Sequence, residues 1–278
     1  MLVPRYRWRY PDRAPLSDAF AAAVASHGGS TLLARVLARR GIEAADLEGF
    51  FGPPEAGIHP ADLLPDAEVV VTRVARARAA SERVLVVGDF DADGLTGLVI
   101  LVTALRRLGL DVAWHVPSRV DDGHGLSRRA VEVAREAGRT LIFTVDTGSS
   151  SVAEVAEAAA VGVDVVVTDH HRVPEVVPPA VAIVNPHRPD ATYPDRRLAG
   201  SGVALKVAAL LLERLAGIPA ATTVADLADL ATIGTVADVA PVLGENRSIA
   251  RLCLERIRTA PRPGIAALLT SAGVDAAT

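Results

Sequence analysis

Residues 83–88 read RVLVVG and run straight into DFDADG at 89–94, followed by LTGLVILVTALRRLG at 95–109 and DVAWHV at 111–116. The alternation continues with LSRRAVEVAREAG at 126–138, TLIFTV at 140–145, SVAEVAEAAAVG at 151–162, VDVVVT at 163–168 and VAIV at 181–184. Short β-branched runs that trade places with helix-length amphipathic ones describe a parallel sheet whose crossovers are helices. The fold class is therefore α/β, a mainly parallel sheet with flanking helices. Upstream, three apolar-periodic runs at 18–26, 31–39 and 67–80 sit between Pro and Gly punctuation and predict a helical N-terminal subregion, residues 1–80. Downstream of Pro194 the pattern turns helical again, at 202–217, 223–239 and 246–258. The second domain is then 81–278, with a helical C-terminal end.

Composition narrows the class. Of 278 residues, 50% are hydrophobic, 22% charged and 4% aromatic, which suits a folded globular chain with a sizeable core and argues against wholesale disorder. Lys plus Arg number 29 against 33 Asp plus Glu, a net charge of −4, so any contact with nucleic acid has to be local. The single cysteine, Cys253, excludes an intrachain disulfide framework and a Cys-rich zinc site, and its expected role is helix packing. The start, MLVPRYRWRYPDR, is charged and broken by Pro, unlike an apolar signal core, and no run of 18 apolar residues occurs. A soluble cytoplasmic chain without a membrane partner is the expectation.

Ligands of open parallel sheets bind at the carboxyl ends of the strands, where loops and helix starts converge. Here those ends carry Asp89, Asp91 and Asp93 after the first strand, Asp146 after the third, Asp169, His170 and His171 after the fourth, and Asn185 with His187 after the next. Alternate residues of an extended segment face the same way, so Asp91 and Asp93 can present two carboxylates to one site. Packed together, bare carboxylates repel by about 4 kcal/mol per pair at a separation of about 4 Å and an effective dielectric near 20, so a cation belongs between them. An Asp and His set without thiolates suits Mn²⁺ or Mg²⁺, and the imidazoles favour Mn²⁺. Each piece alone has a plainer reading: DxDG is common turn chemistry, adjacent histidines face different ways, and Asp146 is equally a helix N-cap. Their joint occurrence on separate strand ends points to a metal site.

The segments VVGDFDADGLTG, PSRVDDGHGL, FTVDTGSS, VVVTDHH, AIVNPHRPD, LAGSGVALK and IGTVADVAPVLGENR, spread over 63–262, together resemble the DHH phosphoesterase superfamily. Within it, GSGVALK and GTVADVAPVLGENR resemble the RecJ branch of single-stranded-DNA-specific exonucleases, and the YRWRY and DLLPD segments look similar as well. Phe90 stands where the family usually has Tyr, His124 where GYG is common, and Thr147 with Ser149 alters the loop after the third strand. The resemblance implies two divalent metal ions, Mn²⁺ preferred and Mg²⁺ possible, held by Asp91, Asp93, Asp146, His170 and Asp238, with Asp93 and Asp146 bridging. Four carboxylates against two divalent ions leave such a centre near neutral. It further implies Asp169 as an acceptor that orients an imidazole, His171 as a substrate-phosphate or outer-metal residue, Asp89 lining the site, and Asn185 as a residue behind the ligands or a substrate-phosphate contact. Ser201 and Gly202 open a helix, either as a phosphate-receiving turn or as an ordinary Gly-rich helix start, and Arg119, Lys206 and Arg247 are candidate phosphate contacts.

The function so implied is metal-dependent hydrolysis of single-stranded DNA from a 5′ end in recombination and repair, with single-strand-binding protein and a helicase as possible partners. A phosphatase of short oligonucleotides or cyclic dinucleotides and a non-enzymatic replication scaffold are the competing readings. The sequence ends at GVDAAT, which by the same resemblance reads as an N-terminal catalytic portion without the second cleft-forming domain and the oligonucleotide-binding barrel.

Overall fold

A computed structural model describes residues 15–120 and 123–274. The YRWRY segment, Asp121 and Asp122 lie outside the described residues. The chain divides into two compact units, Met1–Pro53 and Pro54–Thr278. In the first, α1 (Asp18–Ser26), α2 (Thr31–Arg39) and the short α3 (Leu47–Phe51) gather around Val24, Ala34, Leu37 and Leu47. Ser17 and Ser30 cap the first two helices by accepting from Phe20 N and Leu33 N, so both helices start where the sequence reading puts them.

The second unit begins earlier than residue 80. Helix α4 (Ala67–Ala79) turns Val70, Val74 and Ala77 into the same core as Val84, Leu101 and Leu205, which ties it to the sheet rather than to the helices before it. Then come β1 (Arg83–Gly88), α5 (Ala92–Arg107), β2 (Asp111–His115), α6 (Arg128–Glu136), β3 (Leu141–Val145), α7 (Val152–Ala160), β4 (Asp164–Thr168) and β5 (Ala182–Val184). All strand pairs are parallel and the sheet order is β2-β1-β3-β4-β5. Successive side chains of a strand face opposite ways. Val84 and Val86 accordingly enter a core with α4, α5 and α8 (Gly200–Ala216), while Leu85 and Val87 enter another with α6 and α7.

The strand order reverses between β1 and β3, and it is beside such a switch point that doubly wound sheets bind ligands. Helix α9 (Ala220–Ala237) packs on α5 and α8, and α10 (Gly244–Thr259) packs on α9. A last helix, α11 (Pro263–Ala272), was not expected from the sequence. It starts on a proline at N1 and is anchored by Arg262, whose Nε lies 2.8 Å from the fully buried Asp229. Cys253 is buried in the core, as expected. No helix among the described residues is long and apolar enough to cross a membrane.

Candidate metal centre

Asp91 is the N-cap of α5, its Oδ1 accepting from Asp93 N at 2.9 Å and Gly94 N at 3.0 Å. This cap makes the DADG turn and directs the next carboxylate inward, where Asp93 is fully buried. Asp93 Oδ2 accepts from Gly200 N at 2.6 Å and Oδ1 from Ser201 N at 3.0 Å, so Asp93 in turn caps α8. The GSG turn therefore serves a carboxylate and not a phosphate: the amides of Gly200 and Ser201 are occupied, the Ser201 hydroxyl donates to Ala231 O, and Gly202 packs beside Leu198.

Asp146 leaves β3 with φ of 60°, a left-handed conformation that Asp tolerates better than most residues. A Cβ on Gly200 would come within 2.6 Å of Asp146 Cβ, so glycine is required there. A Cβ on Gly234 of α9 would collide with Asp93 Oδ1, Ser201 Oγ and Thr96 Oγ1. Gly234 and Thr96 escaped the sequence reading, which had no way to pair them across 138 residues of chain.

His170 Nε2 lies 3.0 Å from Asp146 Oδ1, 3.8 Å from Asp93 Oδ2 and 3.9 Å from Asp238 Oδ2. Asp238 reaches the cluster as the C-cap of α9, with Val239 behind it in the left-handed region at φ 61°. Three overlapping groups of donors have their atoms within 4.8 Å of one another: Asp146, His170 and His171; Asp93, His170 and Asp238; Asp89, Asp91 and Asp146. Asp146 and His170 each belong to two groups, and Asp89 stands among the donors as well as lining the site.

These donors fit divalent ions. Asp89 Oδ1 is buried without a partner, Asp146 Oδ1 and His170 Nε2 are buried facing each other at 3.0 Å without a well-aligned hydrogen bond, and the carboxylates of the cluster have ion pairs only with imidazoles among the described residues. Donors about 2.1 Å from a shared ion stand ~3.0 Å apart at right angles and ~4 Å when opposed, the spacing seen around His170. Without an ion, burial and then the charge of Asp93 push Asp146 up to about 7, against the pull of His170. Burial also raises Asp93.

Asp169 is bonded through both of its oxygens. Its Oδ1 accepts from His170 N at 2.7 Å and His171 N at 3.1 Å and lies 2.8 Å from His171 Nδ1, while Oδ2 accepts from Ser149 N at 3.0 Å. Burial works to raise its pKa, but the His171 bonds overcome that and hold it near about 2. The same bond to Asp169 lifts His171 to about 9. Asn185, fully buried, donates to Ser149 Oγ and His171 O and accepts from His187 N, bracing the loops rather than facing a ligand.

Of the basic candidates, Arg119 sits over the Phe90 ring at 5.2 Å from its centroid, and Phe90 meets His124 at 4.8 Å. Lys206 is not a phosphate contact. It is 2% exposed, 2.9 Å from the buried Glu245, and donates to His59 O, while Tyr193 closes the network on Glu245 at 2.5 Å. Arg247 lies near the start of α10 and does not line the cavity at the cluster. Arg172 does. That cavity, of about 250 Å³, is walled by Asp89, Asp146, Asp169, His171 and Arg172 among others, and the DHHR string carried the clue.

A parallel sheet that brings carboxylates and imidazoles from separate strand ends together, paired only with one another, defines an α/β domain of the metal-binding phosphoesterase type. The model for the DHH family, N-terminal domain, matches residues 83–235, and the chain belongs to that family. It is 35% identical over 280 residues to the single-stranded-DNA-specific exonuclease RecJ of Bacillus subtilis (strain 168), covering 99% of this chain and 34% of that protein. It is 41% identical over 258 residues to the Escherichia coli (strain K12) protein of the same name, covering 88% of this chain and 44% of that one. The crystal structure of RecJ in complex with Mn²⁺ from Thermus thermophilus superimposes with a TM-score of 0.76 at 32% identity, over 97% of this chain and 38% of that one. The chain thus spans between about a third and under half of the length of these relatives.

Proposed function

We propose that this chain carries the catalytic centre of a divalent-metal-dependent phosphodiesterase that removes nucleotides from the 5′ end of single-stranded DNA. The observation that carries the reading is the set of overlapping donor groups at the carboxyl edge of the sheet, with carboxylates buried against imidazoles and no guanidinium or ammonium paired to them among the described residues. Asp91, Asp93, Asp146, His170 and Asp238 are the proposed ligands of two divalent ions, Mn²⁺ before Mg²⁺. Such ions, when bound, lower the pKa of water and neutralise charge on a phosphodiester.

The chain's own residues do the rest. Asp91 and Asp93 fix the turn and the start of α8 on which the donors depend, and Gly200 and Gly234 let the elements close around them. Asp169 holds the His171 ring by its Nδ1 at the rim, where the imidazole is placed to contact a phosphate oxygen. Relatives named as single-stranded-DNA-specific exonucleases support the substrate class. A cytoplasmic role in recombination and repair, with single-strand-binding protein and a helicase as partners, belongs to the same proposal.

Single strands labelled at the 5′ or the 3′ end, with duplex controls, test it. The expected result is Mn²⁺-dependent shortening of single strands from the 5′ end that a chelator stops. No hydrolysis with Mn²⁺ or Mg²⁺, or equal cleavage of duplex, would overturn it.

A further inference from the structure

A second cavity, of about 460 Å³, opens between the first turns of α6 and α7 and shares His124 and Ser150 with the cavity at the acids. Its wall carries two guanidinium groups, Arg128 and Arg129, and one carboxylate, Glu154. Arg128 is 71% exposed and 3.3 Å from Glu157; Arg129 is 57% exposed and 3.3 Å from Glu132. Exposed pairs of this kind are worth about 0–1 kcal/mol, so an incoming phosphate can take either guanidinium from its partner.

The wall is firmly joined to the acid cluster. Ser151 Oγ accepts from Leu126 N at 2.9 Å, which ties the loop before α6 to the loop that begins at Asp146. Gly125, at φ 100°, makes the approach possible, because a Cβ there would lie 2.9 Å from the same hydroxyl. Ser127 caps α6 through Ala130 N, and Ser149 N is held by Asp169. The first turn of α6, and with it the backbone of Arg128 and Arg129, is thereby tied to the loop that runs from Asp146 and is held by Asp169.

We propose that this cleft is a backbone subsite, in which Arg128 and Arg129 hold phosphodiesters of a nucleic-acid strand beyond the one at the acid cluster. The inference rests on the reading of that cluster as a phosphodiesterase centre. A dinucleotide, with a single phosphodiester, fills the cluster alone; a longer strand also reaches the arginines.

The test compares Arg128→Ala/Arg129→Ala with the unmodified chain in Mn²⁺, on a dinucleotide and on a single-stranded 20-mer. For the 20-mer, KM should rise about tenfold with kcat unchanged, and the slope of log KM against log salt should fall by about 1.4, at ~0.7 per phosphate contact on single strands. For the dinucleotide, kcat/KM should stay within about twofold. Equal losses on both substrates, or no change on the 20-mer, would overturn the proposal. Anisotropy of a labelled 20-mer with Ca²⁺ in place of Mn²⁺ reads binding without turnover: equal affinity of the two proteins also overturns it. Absent hydrolysis by the unmodified chain counts against the catalytic reading alone.

Discussion

The two ends of the sheet treat charge in opposite ways. At the amino ends of the strands, Arg73 Nη2 lies 2.7 Å from Glu82 and its Nε 2.7 Å from Asp164, Arg83 lies 2.9 Å from Asp111, and Thr140 Oγ1 donates to Glu82. At the other end Asp89 and Asp146, five or six residues along the same strands, and Asp93, in the first turn of α5, have no guanidinium or ammonium paired to them among the described residues, and Asp89 keeps an oxygen without a partner. Burying an unpaired polar group costs free energy, and burying a charge costs more. One end is saturated by the fold and stabilises it; the other is left unsatisfied and is completed by something the chain does not supply.

The largest effect that would break this contrast lies at Asp146. Asp146→Asn keeps the shape but removes a charge shared by two donor groups. Hydrolysis should fall by at least about three orders of magnitude, some 4 kcal/mol of activation free energy. Mn²⁺ binding measured by calorimetry should weaken with it, while thermal stability in chelator should not drop. Normal turnover with normal metal stoichiometry would remove Asp146 from the centre.

At the other end, Arg73→Ala should do the reverse. Arg73 is 5% exposed, and its removal strands two carboxylates. A loss of about 3 kcal/mol in unfolding free energy is expected, the low end for a broken buried pair because Asp164 is 37% exposed. Mn²⁺ affinity of the folded variant should be unchanged. A urea titration that finds Arg73→Ala as stable as the parent would show that the amino end does not carry the stability assigned to it.

How far the sequence exposed this arrangement follows from the range of the interactions. Strand ends, and hence Asp89, Asp146 and Asp169, were legible because β-branched runs of five or six residues stop at defined points, and parallel topology puts those points on one edge. Asp238 was legible only through its motif, since nothing local distinguishes a helix C-cap that faces the cluster. The amides of Gly200 and Ser201 looked free because their acceptor, Asp93, lies 107 and 108 residues away. Lys206 looked like a phosphate ligand for the same reason: its partner Glu245 is 39 residues on, in a helix whose approach no periodicity reveals. The division at residue 80 failed because the apolar face of α4 says that the helix is buried without saying against what.

The smallest effect, and the one that separates the two ends most sharply, is the pH dependence of the metal-free protein. Burial, then the nearby Asp93 charge, holds Asp146 up at about 7, and the bond to Asp169 holds His171 up at about 9. Both folded values lie above the unfolded ones, about 3.9 and 6.5. Their stabilising contributions are complete below the unfolded values and are lost as pH rises through the folded ones. Asp169, held near about 2, has the opposite sign: its contribution is complete above pH ~4 and is lost as pH falls through 2. Glu82 also shifts downward: burial opposes the shift, but the bonds from Arg73 and Thr140 outweigh it, so its contribution too is lost only in acid. Between pH 5 and 9, then, the shifts that matter lie at the carboxyl end: Asp146, His170 and His171 are raised and outweigh His187, which burial lowers, and in chelator the urea midpoint should fall as pH rises. Asp146→Asn should remove the part of that slope below pH 8, whereas Arg73→Ala should lower the midpoint without changing the slope. Added Mn²⁺ should reverse the trend, because an ion takes deprotonated ligands and stabilises by mass action, about 2.7 kcal/mol at one hundred times its Kd. A midpoint that climbs from pH 5 to 9 in chelator, or a full slope retained in Asp146→Asn, would mean that the unsatisfied charge is not where the geometry puts it.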